Sequence, residues 1–144
     1  MTVLRVLGLD HGESRIGVAV SDSLGMLAYP VPYIDIKDES DVFNEIISLI
    51  KEYQVSKIVV GFPISLDGLI GTQAKRVTYF TKCLSEYTDI PIVVIDERLS
   101  TKEAERKIKE GGRRSIARGE VDSAAAAIVL QSYLDSQDGS NSSY

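Results

Sequence analysis

The chain has 144 residues and a mass of 15.8 kDa, which is the usual size of one compact domain. Hydrophobic residues make up 44% and charged residues 26%, so the composition excludes a disordered or collagen-like protein. The only cysteine is Cys83 and the only histidine is His11, which excludes an intramolecular disulfide and a Cys/His zinc cluster. No apolar run of about 18 residues and no signal-peptide pattern occurs, so we expect a soluble, cytoplasmic protein.

The charge of the chain is unevenly distributed. With 16 basic and 21 acidic residues the net charge is −5, which disfavours nucleic-acid binding because phosphate contacts need lysine and arginine. The segment 102–118, however, holds seven basic residues against three acidic ones, a local charge of +4. We therefore expect a cationic segment in an otherwise acidic protein.

Three strand patterns open the chain. Residues 3–9 form an apolar run that ends in a turn at Asp10, which predicts a buried strand. Residues 15–21 predict a second strand that forms a hairpin with the first, and residues 26–34 predict a third. The two prolines of the third segment cannot donate ladder hydrogen bonds, so we place that strand at an edge of the sheet.

Helical and strand patterns then alternate. In residues 41–53, apolar residues recur at spacings of three and four, as on one face of an amphipathic helix. The predicted elements are helix 41–53, strand 57–61, a helix from Thr72, strand 91–95, a helix capped by Ser100 and stopped by two glycines after Glu110, and helix 120–134. Residues 136–144 are predicted to be a flexible polar tail, so the domain spans residues 1–135. This order indicates an α/β fold of three layers, with helices on both faces of the sheet.

Three acidic residues are expected to converge at one edge of this sheet. Asp10 ends the first strand, Glu97 follows the fifth, and Asp122 lies in the first turn of the last helix. That helix can lie across the sheet because alanines 124–127 allow close approach. In open α/β sheets the ligand crevice lies beyond the carboxyl ends of the parallel strands. Buried carboxylates repel one another unless cations neutralise them, and Mg²⁺ or Mn²⁺, which favour oxygen ligands, would do so.

Two such ions about 4 Å apart can activate water and stabilise the leaving oxygen of a phosphodiester without a histidine or cysteine. Each acid also has a purely structural interpretation. Asp10 is then a turn residue, Glu97 a surface acid, and Asp122 a complement to the dipole of its helix.

Four blocks of sequence resemble one known family. Residues 8–22, GLDHGESRIGVAVSD, are similar to the opening motif of the YqgF family, bacterial pre-16S rRNA nucleases or Holliday junction resolvase-like proteins. The later blocks resemble that family's motifs in order: 60–63 with Asp67, Gly68 and Gly71; 96–101; and 121–125 with 130–131. Four ordered blocks, over about residues 4–134, are more specific than any single motif.

The resemblance implies an RNase H-like fold whose five-stranded mixed sheet has three consecutive antiparallel strands and then two parallel ones. It also implies a metal-dependent endonuclease in which Asp10, Glu97 and Asp122 are both the catalytic residues and the metal ligands. The implied substrate is the 5′ end of pre-16S rRNA, with the ribosomal small-subunit precursor as a partner. Cleavage of four-way DNA junctions is the alternative, because fold does not determine substrate. The protein is expected to be a monomer or a homodimer.

Five arginines are candidates for nucleic-acid contacts: Arg15, Arg98, Arg113, Arg114 and Arg118. The last three lie in the cationic segment, where they can hold phosphates that the acids alone would repel. The alternative is that these arginines are ordinary solvated charges. The glycine-containing loop 61–71 either cradles a phosphate backbone or is a simple turn. His11 follows Asp10, but strand alternation should turn its side chain to the opposite face.

Two other functions stay open from the residues. A small phosphotransferase or ATPase also places an Asp-x-Gly turn after its first strand, although one short domain lacks a second phosphate loop. A non-catalytic nucleic-acid-binding module is disfavoured by the three acids. High-affinity binding without a divalent metal would favour that module over the nuclease.

Overall fold

A computed structural model describes residues 5–37, 39–63, 71–97, 102–112 and 123–142. The elements in chain order are β1 (Arg5–His11), β2 (Arg15–Ser21), β3 (Ala28–Asp35), α1 (Glu39–Tyr53), β4 (Val55–Phe62), α2 (Thr72–Ser85), β5 (Ile92–Asp96), α3 (Lys102–Gly112) and α4 (Ala124–Ser142). The predicted order of strands and helices is confirmed.

The five strands form one mixed sheet in the order β3-β2-β1-β4-β5. The pairs β1–β2 and β2–β3 are antiparallel, whereas β1–β4 and β4–β5 are parallel. β3, with its two prolines, lies at an edge as predicted. β1 is the central strand, so its carboxyl end lies beside those of β4 and, one strand further, β5.

Alternating residues of the central strands separate two apolar cores. Leu7 and Leu9 of β1 are fully buried in the core that includes residues of α1 and α2. The opposite core contains Val59 of β4 together with residues of α3 and α4. The helices therefore cover both faces of the sheet, which is the predicted three-layer arrangement.

α4 packs unusually close to β1. A Cβ on Gly8 would lie 2.9 Å from Leu130 Cβ and 3.3 Å from the Ala126 carbonyl oxygen. Ala126 and Ala127 are themselves fully buried. Small residues on both elements thus let the helix lie against the sheet, as the alanine-rich segment predicts.

Three predicted boundaries were wrong. β1 includes Asp10 and His11, which pair with Gly17 and Ile16 instead of forming a turn. α3 includes both glycines that were expected to stop it, and α4 runs on to Ser142 through most of the predicted polar tail. Lys107 of α3 and Gln131 of α4 both donate to Asp135 Oδ1, immediately before the residues that were predicted to form the tail.

Candidate active site

Asp10 and Glu97 meet on the α4 side of the sheet. Asp10 follows Leu9, whose side chain lies in the opposite core, so strand alternation places the Asp10 carboxylate on the face that carries Gly8. Glu97 immediately follows β5, and its side chain hydrogen-bonds to that of Asp10. The structure therefore brings together two of the three predicted acids.

Gly61 makes this contact sterically possible. It lies in β4, between β1 and β5, where it pairs with Ile95. A Cβ on Gly61 would lie 2.9 Å from Glu97 Oε1 and 3.1 Å from Glu97 Cγ. The Glu97 side chain thus crosses over β4 through space that only glycine leaves free.

The electrostatics of the Asp10 and Glu97 carboxyl groups favour an additional positive charge at this site. Burial raises the pKa of Glu97 to about 8, and the hydrogen bond that the protonated Glu97 donates to Asp10 and the charges of Asp10 and Asp96 act in the same direction. Near neutral pH the Glu97 carboxyl consequently retains a proton when no cation is present. A divalent cation with oxygen ligands would take over that neutralising role, so the donor set fits Mg²⁺ or Mn²⁺.

His11 lies on the other face, as strand alternation predicts. Its ring packs against Phe80 of α2 with centroids 4.8 Å apart, and Gln73 donates to its backbone oxygen. Burial is the largest cause that lowers the pKa of His11, and the nearby Arg76 lowers it further. His11 is therefore a packed imidazole on the α2 side, separate from the two carboxylates.

Arg15 is the one predicted nucleic-acid contact within the described residues. It begins β2, two residues before Gly17, the partner of Asp10, so it shares the sheet face of Asp10. Its guanidinium carbon lies 4.5 Å from the centroid of the Tyr33 ring, a cation–π geometry that orients the arginine at this end of the sheet.

The start of α4 is anchored to β2. Ser123 is fully buried, and its Oγ accepts a hydrogen bond of 3.0 Å from the Val18 backbone N–H. Val18 pairs with Leu9, the residue before Asp10. The residue that follows Asp122 in the sequence is thereby held beside the strand that carries Asp10.

The other predicted positions lie outside the described residues: Asp122, Arg98, Arg113, Arg114, Arg118 and loop positions 64–70. Among the described side chains, no group of three or more His, Cys, Asp or Glu residues is arranged to hold a metal ion. Within the described part of the cationic segment, Arg106 pairs with Glu110 at 3.4 Å and Lys107 with Asp135 at 2.9 Å.

Sequence reasoning missed two contributors to the site. Gly61 was considered only as the end of a strand and the start of a loop that either cradles phosphate or is a simple turn. A glycine at the end of an apolar strand is itself a signal of close approach by another group. Tyr33 carries no such signal, because its contact with Arg15 depends on the β2–β3 register, in which Arg15 pairs with Asp35.

Comparisons with known proteins identify the family of the chain. A family model described as "RuvX: Holliday junction resolvase" matches residues 4–136. A protein of Roseiflexus sp. (strain RS-1) named "Putative pre-16S rRNA nuclease" is 46% identical over 138 residues, covering 92% of this chain and 95% of that protein. A protein of Dictyoglomus turgidum with the same name is 43% identical over 134 residues, with 92% and 95% covered.

Solved structures show the same fold. Thermus thermophilus RuvC in complex with a Holliday junction substrate aligns with a TM-score of 0.61 at 12% identity, covering 94% of this chain and 96% of that one. The fowlpox virus Holliday junction resolvase aligns with a TM-score of 0.55 at 13% identity, covering 92% and 99%. The predicted RNase H-like fold, with its five-stranded mixed sheet, is confirmed. None of the described helices is long and apolar enough to cross a membrane.

Proposed function

Because the chain belongs to the RuvX family, we propose that it is a metal-dependent endonuclease that hydrolyses phosphodiester bonds of pre-16S rRNA. The observation that carries this proposal is the contact between the Asp10 and Glu97 carboxyls. Two carboxyl groups in contact at the carboxyl ends of β1 and β5 repel each other when both are ionised, and a bound cation would compensate that repulsion.

The proposed ligands are Asp10, Glu97 and Asp122. Asp122 is included because Ser123 is fixed to β2 beside the strand of Asp10. Two Mg²⁺ or Mn²⁺ ions bound there would supply activation of the attacking water and stabilisation of the leaving oxygen. The protein's own part is to hold the carboxylates in place and to release the Glu97 proton when the cations bind.

Binding of the RNA strand is assigned to arginines. Arg15, oriented by Tyr33, would contact a phosphate next to the carboxylates, because a guanidinium forms paired hydrogen bonds with phosphate oxygens. Arg98, Arg113, Arg114 and Arg118 are the further proposed contacts. Their positive charges would attract RNA phosphates that the net charge of −5 of the whole chain repels.

The test is cleavage of a labelled RNA that spans a 16S 5′ leader, with Mg²⁺, Mn²⁺ or EDTA. Wild type should cut in either metal and not in EDTA. Asp10→Asn and Glu97→Gln should each lose about 100-fold or more of the rate, since they remove a direct ligand, while still binding the RNA. Cleavage by Asp10→Asn at the wild-type rate would overturn the proposal.

A second candidate substrate is a four-way DNA junction, which the description of the matching family favours. The same carboxylates would serve either substrate, so the site geometry does not discriminate between them. A labelled four-way junction in the same assay separates the two. Metal-dependent cutting of the junction, with the RNA left intact, would assign the protein as a resolvase.

A further inference from the structure

A cavity of about 360 Å³ lies at the end of the sheet away from Asp10. It is formed between the β2–β3 turn and the helices α3 and α4, and its lining includes Asp22, Met26, Leu27, Lys107, Leu134 and Asp135. Asp10 pairs with Gly17, and β2 then runs to Ser21 in the opposite direction. At about 3.3 Å per residue, the turn lies roughly 15 Å from the carboxylates, so this cavity is separate from the candidate active site.

Three large apolar side chains surround the mouth of the cavity. Leu24 is 79% exposed, Met26 58% and Leu27 42%. The turn that carries them is well defined, because Asp22 Oδ1 accepts hydrogen bonds from Met26 N at 2.8 Å and Leu27 N at 3.4 Å. Neighbouring apolar side chains held outward by a fixed turn are typical of an interaction surface.

A buried glutamine, Gln131, holds the β2–β3 turn and Asp135, which together form the polar floor of the cavity. Gln131 Oε1 accepts from Ala28 N at 2.9 Å, and Gln131 Nε2 donates to the Met26 oxygen at 2.9 Å and to Asp135 Oδ1 at 3.0 Å. Gln131 is fully buried, so it ties the β2–β3 turn to α4 within the protein interior. The cavity is therefore largely preformed.

One carboxylate oxygen of Asp135 lacks a hydrogen-bond donor among the described residues. Lys107 Nζ and Gln131 Nε2 both donate to Asp135 Oδ1, whereas the buried Oδ2 has no hydrogen-bond partner among the residues that the structure describes. A buried carboxylate oxygen without a donor is unfavourable, so a ligand that donates to this carboxylate is favoured. The side chain of Asp135 is 26% exposed and lines the cavity, so a donor on a ligand can approach this carboxylate.

We propose that this cavity binds a basic, aliphatic segment of a partner protein. An aliphatic side chain of the segment packs against Leu24, Met26 and Leu27, and an adjacent arginine donates to Asp135. The charge favours this occupant, because the two carboxylates of Asp22 and Asp135 face one ammonium, that of Lys107, among the described lining residues. The same charges repel phosphates, and the volume lies at the small end of ligand pockets, enough for one or two side chains.

Methionine-methyl NMR offers a direct readout, since the chain has two methionines, Met1 and Met26. The full-length protein is titrated with the peptide acetyl-Leu-Arg-Leu-amide and, as a control, with the same peptide carrying uncharged citrulline in place of arginine. We expect a saturable shift of the Met26 methyl signal and about fivefold weaker binding of the citrulline peptide, the difference between a charged and a neutral hydrogen bond.

Matched variants complete the test. Leu24→Ser should weaken binding of the arginine peptide, whereas Val94→Ser, at an exposed apolar position on β5, should not. Asp135→Asn should make the arginine and citrulline peptides bind equally, and Leu24→Ser remains informative if that variant folds poorly. No Met26 shift, equal wild-type affinities for the two peptides, or a Met26 shift on dilution of the protein alone, which would indicate a second copy as the occupant, would each overturn the proposal.

Discussion

Glu97 occupies the space that a Cβ on Gly61 would fill, with Oε1 2.9 Å from that position. The glycine is therefore part of the site although it carries no side chain. It lets a residue that follows the edge strand β5 reach across β4 to Asp10 on β1.

Gly61→Ala should reduce activity much more than stability. The added methyl group displaces the flexible end of the Glu97 side chain, which can swing away at little cost to the fold. Mn²⁺ affinity and RNA cleavage should each fall about 10- to 100-fold, the effect of disturbing the support of a metal ligand. Isothermal titration calorimetry, a cleavage assay and thermal unfolding check the three quantities.

Gly8→Ala is the matched control, because it adds the same methyl group against a backbone atom. Its Cβ would lie 3.3 Å from the Ala126 carbonyl oxygen and 2.9 Å from Leu130 Cβ, so α4 must move. We expect a loss of about 1–3 kcal/mol in the free energy of unfolding. Equal destabilisation by the two substitutions would contradict the specific role assigned to Gly61.

Stability without metal should depend on pH through Glu97. Its pKa is about 8 in the folded protein against 4.5 for the ordinary group, so between these values the folded state holds a proton that the unfolded state has lost. The free energy of unfolding therefore falls as pH rises from about 4.5 to 8, and Glu97 causes no further loss above that. Urea unfolding in EDTA at a series of pH values measures the trend.

Glu97→Gln should remove this contribution and leave the metal-free protein more stable than wild type at pH 8. Glu45→Gln, at an exposed position on α1, serves as the control and should keep the wild-type trend. If wild type and Glu97→Gln lose stability in parallel between pH 5 and 8, burial of the Glu97 carboxyl beside Asp10 is not the cause.

Tyr33→Leu should weaken RNA binding by about two- to fivefold, since an exposed cation–π contact contributes about 0.5–1 kcal/mol. Tyr33→Phe keeps the aromatic face under Arg15 and should bind like wild type. Arg15→Ala should weaken binding further and lower the slope of log affinity against log salt by about 1. Fluorescence anisotropy over a salt series makes these comparisons, and indistinguishable Leu and Phe variants would argue against the orienting role of Tyr33.

Ser123→Ala should cost about 1–3 kcal/mol of stability, because the Val18 N–H loses a buried acceptor. Cleavage should fall as well if Asp122, the preceding residue, is a ligand. Ser136→Ala removes a bond of 2.7 Å within α4 at an exposed position and should change cleavage little. An unchanged cleavage rate in folded Ser123→Ala protein would weaken the assignment of Asp122.

The fold was predictable from the sequence because each strand and helix carries its own periodicity. Pro30 and Pro32 placed β3 at an edge, and alanines 124–127 predicted the close approach of α4. The predicted ends of β1, α3 and α4 were wrong, because contacts between distant residues are not visible in the local composition. Helix α4 runs on past Asp135, which accepts a hydrogen bond from Lys107 of α3, and a contact between two helices cannot be deduced from local spacing.

The candidate site was predictable only in part. The approach of Asp10 and Glu97 follows from the rule that ligand sites lie at the carboxyl ends of parallel strands. The need for Gly61 and the contact between Arg15 and Tyr33 depend on strand register, which one sequence does not specify. That Asp10 lies within β1 and not in a turn places its carboxylate on the α4 face.

The most direct test of the central claim is calorimetric titration of the protein with Mn²⁺, comparing wild type with Asp10→Asn. If Asp10 and Glu97 together form a divalent-cation site, wild type binds Mn²⁺ saturably and releases a proton near neutral pH, and the variant loses at least about tenfold in affinity. Binding of equal affinity in Asp10→Asn would contradict the account.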